Sequence, residues 1–208
     1  MGILRRAGRG LGFAALGLGF AATTAAAQVD LSEVGHLLGD PDAPVTVVEF
    51  SDFACSACAE FAGDSFGELR VKLIESGRVV WRQVPFALGF RRGEEATYAG
   101  ECAADQGAFW PMHDALFADP ERWKRARDLD GAFIEIARAI GLEVDRFTEC
   151  IDDREPEGRI DAANRAARDL GIRATPAFYI AGRPALGALS VEHFVALVEA
   201  AETERGGG

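Results

Sequence analysis

The sequence predicts an α/β fold: a strand–helix–strand unit, a long helical insertion, and a returning hairpin closed by a last helix. Three observations carry this. Val45 to Phe50 is a near-continuous apolar run, as in a strand covered on both faces, and it feeds a helical period beginning at Cys55. Residues 86–170 show successive stripes of helical spacing with few strand-like runs. Ala177-Phe178-Tyr179-Ile180, then Ala181-Gly182-Arg183-Pro184, then Ala185 to Leu189 reads as a hairpin. The chain has 208 residues, 49% hydrophobic and 26% charged, which is enough apolar material for one sizeable core.

Residues 1–27 read as an export leader. Arg5, Arg6 and Arg9 precede the apolar stretch Leu11 to Ala22, and Ala25-Ala26-Ala27 offers small residues for cleavage, leaving Gln28 first. Twelve apolar residues are short for a membrane anchor. Arg5-Arg6 permits the twin-arginine route, but its flanks fit the general secretory route better. The expected location is therefore periplasmic. Gln28 to Pro44 reads as an entry segment ending in turn chemistry.

Cys58, Phe61, Ala62, Phe66, Leu69 and Leu73 keep helical spacing up to Gly77. Gly63 and Gly67 weaken the middle, and Asp64 or Ser65 could cap a second segment, so a kink is expected there. Arg78 to Val84 is the next strand. Strand–helix–strand of this length predicts parallel pairing with a right-handed crossover. In the insertion, Ala96, Ala99, Cys102 and Ala103 mark one helix, and Phe109, Trp110, Leu116 and Phe117 a second. Asp130 is the expected cap of a third, with Phe133, Ala137 and Ile140. Phe147, Cys150 and Ile151 lie on a fourth; Ile160, Ala163, Ala167 and Leu170 stripe a fifth. Ser190 caps the last helix, with Val191, Phe194, Val195 and Val198 inward.

The formal charge is −11. The leader holds three arginines and no acid, so its removal takes the remainder to −14. That argues against nucleic acid and anionic membrane surfaces as partners.

Two of the four cysteines form the C-x-x-C of Cys55-Ser56-Ala57-Cys58 at a strand-to-helix junction, which is a redox signature in a βαβ setting. Unpaired N–H groups and the helix dipole favour a thiolate at Cys55. Cys55 is the expected attacking sulfur and Cys58 the shielded, resolving one. A structural disulfide or half of a zinc site is the competing reading, but zinc needs about four ligands, and His36, His113 and His193 are scattered. Four cysteines allow three connectivities; context favours Cys55–Cys58 and a structural Cys102–Cys150, the alternative for the latter being two buried thiols. Phe86, Leu88, Phe90, Phe109 and Trp110 could give a hydrophobic surface beside the cysteines, although aromatic residues on helices are more often core. His113 reads as a packed or surface histidine. Glu49 is anomalous, since a carboxylate in an apolar strand is costly to bury.

Glu49-Phe50-Ser51-Asp52-Phe53-Ala54-Cys55-Ser56-Ala57-Cys58, Gln106-Gly107-Ala108-Phe109-Trp110 and Gly171-Ile172-Arg173-Ala174-Thr175-Pro176-Ala177-Phe178, in this order, resemble the DsbA-like branch of the thioredoxin superfamily. The resemblance implies a thioredoxin fold with an inserted helical domain: core at 45–85 and 171–202, insertion at 86–170, within a domain of 28–208. It implies a cis bond before Pro176, a Thr175 backbone open to an extended substrate, and Glu49 as the buried acid that serves Cys58. It implies an exported thiol–disulfide oxidoreductase, read here as an oxidase, with a reductase or isomerase as the alternative. A binding module for unfolded chains or copper is the alternative from another class. No cofactor is expected. The implied partners are reduced exported proteins and a membrane redox protein, with the chain itself a monomer. One departure stands out: Ser56-Ala57 replaces the Pro-His of the best-known members, which predicts a less oxidising disulfide.

Overall fold

The computed structural model describes residues 31–187 and 189–207. The expected leader, 1–27, lies outside the described residues.

Five strands form one sheet in the order β1-β3-β2-β4-β5: β1 His36–Leu38, β2 Val45–Ser51, β3 Val79–Pro85, β4 Ala177–Ile180 and β5 Arg183–Leu186. β2 is central, as its apolar run predicts, and pairs parallel with β3 and antiparallel with β4. β1 was not anticipated; it adds an antiparallel edge to β3 from within the entry segment. Three residues between Gly35 and Gly39 are too few to show a period. The hairpin is tighter than expected. Ala181 and Gly182, at φ 48° and 78°, make a two-residue turn that suits the strand twist, so β5 begins at Arg183 rather than Ala185.

After β2 comes α1, which runs without a break through four stretches: Ser56–Phe61 and Gly67–Leu69 are α-helical, Ala62–Phe66 and Arg70–Ile74 π-helical. The expected capped kink at Asp64 or Ser65 is absent. Widened turns take up the irregularity instead, with no side chain capping either stretch.

The insertion begins with α2 Gly93–Ala104, α3 Phe109–Ala118 and α4 Pro120–Lys124, a single turn not foreseen. Next come α5 Leu129–Ala139 and α6 Val144–Asp152. α5 is capped by Asp128, not Asp130: the Gly131 N–H donates to Asp128 Oδ1 at 3.0 Å. Cys102 on α2 and Cys150 on α6 form a disulfide with a Cα–Cα distance of 5.8 Å. It lies in a core shared with Phe53, Met112, Leu116, Trp123, Phe133 and Phe147.

α7 Glu157–Asp169 follows the insertion's core but does not join it. Its Ala163, Ala166 and Ala167 pack with Val48, Phe50, Val84 and Ala177 on one sheet face. The opposite face carries Val45, Val47, Trp81 and Phe178 against α1 and α8, Val191–Gly206. Ser190 caps α8 by accepting from the His193 N–H. Among the described residues no helix is long and apolar enough to cross a membrane.

Candidate active site

The C-terminal end of β2 sets the site. Ser51 ends the strand, Asp52 to Ala54 turn, and Cys55 is the N-cap of α1 with extended backbone. The Cys55 N–H donates to the Asp52 carbonyl at 3.0 Å, and the Cys55 carbonyl accepts from Ala59 at 3.1 Å. The sulfur is thereby held at the positive end of a helix whose first N–H groups have no intrahelical acceptor.

Asp52 was not singled out from sequence, yet it organises this turn. It is fully buried. Oδ1 accepts from the Ala54 N–H and Oδ2 from the Leu88 N–H, both at 2.8 Å. One carboxylate therefore ties the cysteine turn to the loop before α2. Gly93 permits this, because a Cβ there would stand 2.5 Å from Asp52 Oδ1. Burial raises the Asp52 pKa against the pull of those two N–H groups.

Both thiols are free, so the site is in its reduced form. Cys55 is 5% exposed and Cys58 0%. The Cys55 thiol donates to the Thr175 carbonyl at 3.4 Å, and the Thr175–Pro176 bond is cis. The structure thus brings together four of the residues named from sequence: Cys55, Cys58, Thr175 and Pro176. Burial pushes the Cys58 thiol up to about 12. The Ser51 and Thr175 hydroxyls temper that rise from nearby, although neither makes a direct hydrogen bond. Cys58 is therefore a reluctant thiolate that must find a proton whenever its disulfide opens.

Glu49 lies beneath, on the same face of β2 as Val47 and Ser51. Trp81 Nε1 donates to Glu49 Oε2 at 3.0 Å, and burial raises its pKa from 4.5 to about 7. That hydrogen bond opposes the rise without cancelling it. The carboxyl is thus poised to give or take a proton at neutral pH.

The expected hydrophobic surface is largely core. Phe86 and Phe109 are buried, Leu88 and Trp110 partly so, and only Phe90 is well exposed, at 47%. The cause is packing: Phe86 fills the α7 face of the sheet, and Phe109 stacks on His36. His113 is buried among Phe53, Phe66 and Phe117, and burial lowers its pKa. Its Nδ1 meets Asp114, which Arg70 clamps with two bonds of 3.0 Å.

The profile of a protein family described as Thioredoxin matches residues 31–200. The chain belongs to the thioredoxin family. Within it the fold is DsbA-like. A variant of α-DsbA1 from Wolbachia pipientis superposes with a TM-score of 0.73 and 25% identity, over 82% of this chain and 92% of that one. Oxidised BdbD from Bacillus subtilis gives 0.71 and 23%, over 83% and 94%. A curated relative from Salinispora tropica, named Na(+)/H(+) antiporter NhaA 3, is 39% identical over 166 residues, or 80% of this chain. This thioredoxin-family chain spans 24% of that relative's length, so the antiporter name describes a much longer protein.

Proposed function

We propose that the protein is an exported thiol–disulfide oxidoreductase that forms disulfides in reduced periplasmic proteins. The observation that carries this reading is the pairing of a helix-terminal Cys55 sulfur with the Thr175 carbonyl, above a buried Cys58 and an acid with a pKa of about 7. The leader-like residues 1–27 and the Cys102–Cys150 bridge support an oxidising compartment.

The cycle starts from a Cys55–Cys58 disulfide. A substrate thiolate attacks Cys55 Sγ, the S–S bond breaks, and the electron pair leaves on Cys58. Cys58, with its high proton affinity, takes a proton from the Glu49 carboxyl. The second substrate thiolate attacks the substrate sulfur of the mixed disulfide and expels Cys55 as thiolate, which takes up the proton that the substrate thiol released to solvent. The substrate has lost two electrons and the enzyme holds them as the dithiol described above. A membrane redox protein then restores the disulfide. The Thr175 backbone offers an edge on which an extended substrate can lie.

Trapping tests this. Cys58→Ser should accumulate a mixed disulfide on Cys55, whereas Cys55→Ser should trap little, because Cys58 is fully covered. Oxidised protein should also convert a dithiol peptide to its disulfide at one equivalent per Cys55–Cys58 pair. Trapping on Cys58, or no conversion, overturns the proposal.

A further inference from the structure

Three polar side chains stand side by side across the sheet. The register pairs His36 of β1 with Gln83 of β3, and Gln83 with Glu49 of β2. Laterally paired residues project from the same face. Here it is the face that Trp81 and Phe178 share with α1. Only the outer end of the row is open: the His36 side chain is 20% exposed, whereas Gln83 and Glu49 are buried, at 0% and 2%.

Gln83 occupies a position where an apolar residue would be expected. Both its amide nitrogen and its amide oxygen are buried without a hydrogen-bond partner, and so is Ser51 Oγ on the neighbouring strand. A buried amide with both ends unpaired is costly, and ordered water is the usual remedy where several polar groups converge. Two other sides of Glu49 are closed by apolar groups. Trp81 and Phe178 flank it on the sheet, and Phe61 and Phe194 pack on those rings.

We propose that Gln83 is a positioning residue that holds internal water between Glu49 and the His36 edge, and that this row is the path by which Glu49 exchanges its proton with solvent. The need for such a path rests on the function proposed above. Glu49 gives a proton to Cys58, becoming a carboxylate, and recovers one from solvent through the water held at Gln83. When the disulfide re-forms, the Cys58 proton leaves by the same row. No electron moves along it. At the outer end, His36 Nε2 meets Glu101 Oε1 at 2.9 Å, Arg159 also pairs with Glu101, and the His36 ring stacks on Phe109. At the inner end, Glu49 faces Trp81, with Ser51 and Cys58 beyond.

The test follows the protonated Glu49 carbonyl by infrared spectroscopy in the reduced protein, at about pH 6, below its raised pKa. Glu49→Gln assigns the band by removing it. On transfer to D2O the band shifts as the carboxyl proton exchanges. Gln83→Leu should slow that shift by about a hundredfold, the lower end of what a positioned group contributes to proton transfer. His36→Phe, which keeps an aromatic ring against Phe109, should slow it too and serves if Gln83→Leu fails to fold. Exchange at the wild-type rate in either folded variant overturns the proposal. The readout needs no redox turnover, so inactivity toward dithiols with a slowed band shift would sink the functional reading alone.

Discussion

Glu49 carries opposed demands in a single carboxyl, and its cost to folding is measurable. Its usual value is 4.5, and burial lifts it to about 7 in the fold. Between those two values the folded chain keeps a proton that the unfolded chain has released, so stability falls as pH rises through this window. The loss amounts to about 3 kcal/mol and is complete above about pH 7. Glu49→Gln should therefore match the wild type at pH 4 or so and exceed its stability by about that amount at pH 8 or so. Urea unfolding of the reduced proteins across that range checks this; equal stabilities at the alkaline end refute it. Cys55, Cys58 and Glu49 were legible in the sequence, because each is a chemical oddity in its surroundings: paired thiols at a helix start, an acid in an apolar strand. Thr175 and Pro176 were named only through the family resemblance, since an X-Pro by itself reads as a turn. Gln83 obeys the same logic and was missed. Alternation along Val79, Trp81 and Gln83 already placed it on the Trp81 face, but an amide is a weaker signal than a charge. Asp52 was hidden for another reason: its partners, Ala54 and Leu88, are backbone N–H groups that no side-chain pattern reveals.

Among the elements, strong period was readable and marginal length was not. β2, β3, β4 and the longer helices carry enough residues to display their spacing; β1 and the single turn α4 do not. The continuity of α1 escaped because Gly63 and Gly67 looked like breaks. Neither would bring a Cβ within 4 Å of anything, so they leave open surface rather than a bend. The junction between the cysteine turn and α2 depends instead on Gly93. Gly93→Ala should force the Asp52 carboxylate aside, at a cost of about 1–3 kcal/mol for overpacking. It should also slow thiol–disulfide exchange, since the turn that aims Cys55 would lose its tie to Leu88. Thermal unfolding and dithiol turnover measure the two effects; an unchanged turnover would show that Asp52 does not aim the sulfur.

At the scale of the whole molecule, a small sheet is covered by helices drawn from distant parts of the sequence. The expected boundary of the insertion at 170 did not anticipate that α7 covers a sheet face, because its alanine stripe is as compatible with a sheet as with a helix bundle. The Cys102–Cys150 bridge lies wholly within the insertion and closes a separation of 48 residues. Replacing both cysteines by alanine should cost about 4 kcal/mol by the loop-entropy relation and leave dithiol turnover intact. Denaturant midpoints beside activity test that. The same bridge bears on how fast the chain assembles. β2 cannot meet β4 until the polypeptide between Val47 and Ile180 has looped back on itself. A crosslink already in place short-circuits 48 residues of that loop. Closure then costs on the order of 0.4 kcal/mol less, which is about a twofold faster search. A chain that acquires this bridge early would reach its sheet sooner than one that acquires it late, so the order in which its own sulfurs join sets the pace at which the sheet beneath Cys55 and Cys58 is complete.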